Sequence, residues 1–206
     1  MTTIQKTAAA AVLVAALAAG ASVHAQSPAS TDPAAVQAGA YKLETNHARV
    51  LFSTSHMGFS TWYGDFSGAA GSLTLDPKNL AASQLDVSIP TANVTTTNAV
   101  LDAELKSPAW FDAAQYPTIT FKSTKVAQTS PTTAQVTGDL TFHGVTKPVT
   151  LEATFKASGV NPMSKAYTVG FEVKGKLKRS DFGVTTYVPL IGDDVDLTIS
   201  APFEKK

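Results

Sequence analysis

The chain has 206 residues, with 16 Lys and Arg against 16 Asp and Glu, and no cysteine. That charge balance argues against nucleic acid as a partner, which calls for a strongly basic face. Without disulfides, an exported domain of this size must be held together by packing.

Residues Met1 to Ala25 read as a secretory signal: Lys6 gives the positive start, Ala8 to Ala19 is an apolar run, and Val23-His24-Ala25 offers small or apolar residues at the cleavage position. Cleavage is expected after Ala25, which places the mature protein in the periplasm. The run is too short for a spanning helix of roughly 20 residues. Gln26 to Ala40, rich in Ala, Ser, Pro and Gln, reads as a flexible leader without a core of its own. Residues 41–206 then form one domain.

From Tyr41 the apolar residues alternate with period two. Val50, Phe52, Thr54 and His56 share one face of a strand, and Leu73 with Leu75, then Leu85, Val87 and Ile89, repeat the pattern. A helix interrupts it at about residues 97–106. Asn98 is the expected N-cap, Leu101 and Leu105 share a face at i, i+4, and Pro108 stops the helix just before the aromatic pair Trp110-Phe111. Alternation resumes at Ile119 and Phe121 and continues through Val136 to Phe142, Val149 to Phe155, Tyr167 to Leu177 and Val195 to Phe203.

Eight or nine strands with one apolar and one polar face exclude a parallel sheet covered on both sides. Of the two remaining choices, a sandwich and a closed antiparallel barrel, closure is favoured because it removes exposed edges. Gly138, Ala153 and Gly175 put small residues on the apolar face. They fit either an open lumen or bends and bulges where the strands curve.

Nucleophile-elbow, HExxH, phosphate-loop and dinucleotide motifs are missing. His47 and His56 lie an odd number of residues apart, which along one strand sends them to opposite faces, and His143 falls at a turn, so a shared metal site is not expected. Asp193, Asp194 and Asp196 read as a solvated turn. Lys174, Lys176, Lys178 and Arg179 read as a row of surface charge that keeps a strand soluble, with attraction to anionic head groups as the functional alternative. The aromatics are the stronger signal, able to fill a core or line an apolar tunnel.

Taken in order, Asn46-His47 with Val50-x-Phe52, His56-Met57-Gly58, Gly64-x-Phe66, Ser107-Pro108-x-Trp110-Phe111-Asp112, Tyr116-Pro117-x-Ile119-Thr120-Phe121, the Val136 to Val149 hairpin string with His143-Gly144-Val145-Thr146, and Arg179-x-Asp181-Phe182-Gly183 resemble the YceI-like periplasmic proteins. The resemblance runs from Tyr41 to about Glu204, and Ala48 departs from it where the family commonly has Ser. It implies an all-β, eight-stranded antiparallel lipocalin-like barrel with one short helix, whose tunnel carries polyisoprenoids, isoprenoid quinones or similar long-chain lipids. It further implies a homodimer, a link to stress responses, and no cofactor or enzymatic activity. A transient contact with the membrane surface goes with that role. The expected tunnel residues are Phe52, His56, Met57, Phe59, Trp62, Phe66, Leu101, Leu105, Trp110, Phe111, Phe121, Phe142, Phe182 and Tyr187. A structural or interaction module, or less readily an enzyme with a polar site inside the barrel, are the rival classes.

Overall fold

The computed structural model describes residues 29–206; the expected signal segment and its cleavage site lie outside them. Twelve strands are present among these residues: β1 (Ala29–Ser30), β2 (Gly39–Leu43), β3 (Arg49–His56), β4 (Ser60–Phe66), β5 (Ala70–Leu75), β6 (Gln84–Pro90), β7 (Val94–Thr95), β8 (Thr118–Gln128), β9 (Thr133–Phe142), β10 (Val145–Val160), β11 (Tyr167–Lys178) and β12 (Asp194–Lys205). Eight of them close a ring in the order β2, β5, β6, β8, β9, β10, β11, β12 and back to β2, every pairing antiparallel. The alternation dictates this: each strand turns its apolar positions inward, and ring closure buries that face without leaving a free edge.

One edge of β12 serves two partners. Its last residues, Phe203 to Lys205, pair with β2, whereas Asp196 to Ser200 pair with β3. β3 carries β4, and β4 carries the short β7, so these three strands extend the wall at one end of the ring.

At that same end sits helix α1 (Ala99–Lys106). The Asn98 side chain accepts from the Val100 and Leu101 amides at 3.0 and 3.3 Å, satisfying two amides that have no partner within the helix. The helix thus starts two residues later than its expected beginning near 97. Beyond it the chain wraps tightly, with the Trp110 amide on the Ser107 carbonyl and the Phe111 amide on that of Leu105.

The buried side chains fall into two clusters, one at each end of the barrel. The first gathers around Phe66, Val94, Leu105, Trp110, Phe111, Phe142 and Phe182. The second gathers around Tyr41, Leu43, Leu73, Leu75, Val169 and Phe203. Burial, with Tyr167 nearby, pushes the Tyr41 phenol up to about 12.

From Ala29 onward the segment expected to be a loose leader is laid against the barrel. Ala29 and Ser30 pair with Gly159 and Ser158 of β10, and the Tyr167 hydroxyl donates to the Ala35 carbonyl at 2.9 Å. Val36 packs on the second cluster.

The small inward residues resolve individually. Gly138 lies opposite a bulge in β8 between Ser123 and Lys125, and a Cβ there would collide with the Phe121 ring and the Lys122 carbonyl. The Leu151 side chain covers Gly175 in the same way. Only Ala153 faces open space.

Candidate functional site

The ring encloses a cavity of about 740 Å³, within the roughly 300–1,000 Å³ range of small-molecule sites. Its walls are the inward positions of the strands. Val136 and Leu140 of β9, Val173 and Leu177 of β11, and Leu197 and Ile199 of β12 are only partly buried because they keep surface toward this space.

Of the expected tunnel residues, Phe52, His56, Met57, Trp62, Phe66, Leu101, Leu105, Trp110, Phe111, Phe121, Phe142 and Tyr187 lie on the cavity wall. Phe52, Phe66, Phe111 and Phe142 form one connected aromatic group, with ring centroids 5.3–6.5 Å apart. Phe52 takes the position that a side chain at Gly64 would occupy on the facing strand. His56 lies against Trp62 at 5.2 Å.

Two expected residues are not on the wall. Phe59 is 92% exposed. It follows Met57 and Gly58, both with positive φ, at the tip of the β3–β4 hairpin, where the chain has already left the inward face. Phe182 is 1% exposed and packs on Phe142 at 6.0 Å without reaching the cavity, because the 3₁₀ turn Arg179–Phe182 carries it away from the line of β11.

Arg179 corrects the expected row of surface charge. It is 4% exposed and is spent on backbone: Nε donates to the Gly192 carbonyl at 2.9 Å, Nη1 to Val184 at 3.0 Å and Nη2 to Ile191 at 2.9 Å. Its guanidinium also lies 5.2 Å from the centre of the Trp110 ring, a cation–π arrangement. Burial pulls the Arg179 pKa down, against the pull of nearby Asp193. Parity was the overlooked signal. Arg179 continues the inward set Val173, Gly175 and Leu177, whereas Lys174, Lys176 and Lys178 point outward, Lys176 pairing with Asp196 and Lys178 lying near Asp193 and Asp194.

This end is supported by three carboxylates. Asp193, expected as part of a solvated turn, accepts from the Ser180 amide at 2.9 Å and hydroxyl at 2.8 Å. Burial alone would raise its pKa, but these bonds, with Lys178 and Arg179, hold it below the ordinary carboxylate value. Asp102 is lowered chiefly by the Thr96 hydroxyl, with further help from the Thr96 amide and Thr95, against the opposing effect of burial. Trp110 Nε1 donates to Glu104 at 3.1 Å. A loop, Gly183 to Gly192, carries Tyr187 and Leu190 over the cavity. It is fixed by Arg179, by the Met57 amide on the Leu190 carbonyl at 2.8 Å, and by a bond from the Thr186 hydroxyl to the Ala109 carbonyl.

The opposite end is closed by Pro33 and Val36, by Pro77 and Leu80, and by the β8–β9 turn, whose Gln128, Ser130, Thr132 and Thr133 bring polar groups to the cavity. Ser130 Oγ accepts from the Thr132 and Thr133 amides at 3.2 and 3.1 Å.

The remaining histidines lie apart from this space. His47 pairs with Glu44 in an exposed turn, and His143 Nδ1 meets the Phe182 carbonyl at 3.1 Å. Among the described residues no three His, Asp or Glu side chains are grouped to hold a metal. Chemically, the site offers a largely apolar wall, with the Arg179 and Trp110 donors engaged by protein acceptors, suited to enclosing a long apolar chain.

The YceI-like domain family matches residues 41–203. Protein YceI of Escherichia coli O17:K52:H18 (strain UMN026 / ExPEC) is 42% identical over 162 residues, covering 78% of this chain and 84% of its own. Protein YceI of Shigella flexneri is 41% identical over the same length, with the same coverage. The solved structure of a Campylobacter jejuni YceI protein matches with a TM-score of 0.66 at 31% identity, over 74% of this chain and 90% of that one. A polyisoprenoid binding domain from Saccharophagus degradans shares the fold, with a TM-score of 0.60 at 14% identity, over 82% of this chain and 100% of its own.

Proposed function

The chain belongs to the YceI-like domain family, and on that premise we propose that it is a periplasmic binding or carrier protein for a polyisoprenoid, isoprenoid quinone or similar long-chain amphiphile held in the barrel lumen. The supporting observation is the apolar cavity of about 740 Å³ running between the two clusters. Each buried CH₂ contributes about 0.8 kcal/mol, so a long chain is held firmly with few polar contacts, and chain shape is selected more than head-group chemistry. The proposal is of a non-enzyme with no cofactor beyond its lipid. The donors of Arg179 are taken up by three carbonyls, so it is not presented as a catalytic group. Export through the N-terminal segment and a homodimeric state complete the proposal.

Native mass spectrometry of gently purified protein tests it and reads the oligomeric state in the same spectrum. Long-chain lipid adducts are expected on the wild type. Ala153→Trp, which projects a large side chain into the lumen, is expected to lose them while remaining folded. If neither the purified protein nor a titration with a fluorescent polyprenol shows binding, the proposal fails.

A further inference from the structure

The rim of the cavity beside Trp110 carries exposed apolar side chains on two segments that are bonded to each other. Met57 and Phe59 come from the β3–β4 hairpin, and Tyr187, Val188 and Leu190 from the loop after Arg179. Tyr187 is 61% exposed and Leu190 60%, yet both, with Met57, also line the cavity. Neither Met57–Gly64 nor Gly183–Gly192 contains a charged residue. At the opposite end the connections carry Asp76, Lys78 and Lys165, and the end of β12 carries Glu204 and Lys205.

We propose that this rim is a membrane-docking surface that inserts Phe59, Tyr187, Val188 and Leu190 into the interface of a lipid bilayer, with the cavity mouth opening onto the lipid. The inference deepens the carrier reading and rests on it. Three observations select a bilayer over a protein. The exposed side chains sit on a projecting hairpin tip and one loop, far fewer than the roughly 20–30 residues a side of a stable protein interface. The two rim segments mix aliphatic residues with a tyrosine and carry no charge of their own, which suits the boundary between head groups and acyl chains. Met57, Tyr187 and Leu190 belong to both rim and wall, so an apolar chain leaving a bilayer meets continuous apolar surface from the interface into the lumen. The attraction differs from that of the outward lysines of β11, because it does not depend on anionic lipid.

Flotation of the purified protein with phosphatidylcholine vesicles at low and high salt tests the proposal. The wild type is expected to float at both, since burial of uncharged groups is not screened. Phe59→Ser should lower the bound fraction about tenfold, Phe59→Trp should retain it, and Met163→Ser, which removes an 88% exposed apolar side chain from the opposite end, should leave it unchanged. A wild type that stays off the vesicles, a Phe59→Ser variant that floats equally well, or an equal loss with Met163→Ser overturns the docking surface. So does a wild-type dimer that Phe59→Ser dissociates without any effect on vesicle binding. Native mass spectra of the same proteins separate the two readings: flotation without bound lipid defeats the carrier reading and keeps the docking surface, and bound lipid without flotation does the reverse.

Discussion

Beside Trp110 the cavity mouth is framed by a loop tied to a buried guanidinium. At the other end it is bounded by Pro33, Val36 and a turn whose amides donate to a hydroxyl. The two ends depend on different physics. A buried arginine with three carbonyl partners forms a single unit, because losing it strands several acceptors at once. An exposed hydroxyl turn can lose one bond to water at little cost. The Trp110 end is therefore a stiff frame bearing a sticky rim, and the far end is a soft plug with charged connections around it.

The sharpest way to break this contrast is Arg179→Leu, which leaves the Val184, Ile191 and Gly192 carbonyls without their donor. A loss of about 3–5 kcal/mol is expected from urea unfolding, as for breaking other buried charged networks. Arg179→Lys should recover only part of it, since an ammonium cannot reproduce the fork. A loss below about 1 kcal/mol from Arg179→Leu would remove the idea of a stiff frame. Trp110→Phe keeps the bulk but drops the bond to Glu104 and weakens the ring beneath Arg179, so about 1–2 kcal/mol is expected by the same measurement.

Acid should act on this end through Asp193 and Asp102. Both are held below the ordinary carboxylate pKa, so their folded values lie under their unfolded ones. Their contribution is complete above about pH 4 and fades as the pH drops through the folded values. Glu44, whose pKa is lowered by His47 and the Asn46 amide against the effect of burial, adds the same sign elsewhere in the barrel. The urea midpoint should fall below pH 4, and Asp193→Asn should flatten that fall; an unchanged profile would contradict the assignment. The smallest effect belongs to the soft plug. Ser130→Ala removes the acceptor of two turn amides and should cost about 0.5–1 kcal/mol, with faster hydrogen exchange confined to the turn.

The ring was legible in the sequence because a strand with one buried face must alternate, and Leu85 to Ile89 or Tyr167 to Leu177 do so openly. The helix was legible from Asn98 and the Leu101–Leu105 spacing. Less visible was the division of β12 between two partners, since pairing across many residues leaves no local pattern. Arg179 was hidden by its lysine neighbours, although parity placed it inward. Phe59 and Phe182 were misplaced because an aromatic residue reads the same on a wall, behind a wall or at a hairpin tip. Only turn geometry separates the three.

Gly138 under Phe121, and Gly175 under Leu151, make the bore of this barrel adjustable. At each site the glycine and its large neighbour share one volume, so the two residues act as a single variable. Enlarging the glycine alone forces a collision, and shrinking the neighbour alone widens the lumen. Exchanging both conserves the wall while moving the bulge of the bore from one strand to the next. A lineage could thus retune which chain length and branching the barrel accepts through paired exchanges on adjacent strands, leaving the rim, the frame and the ring closure untouched.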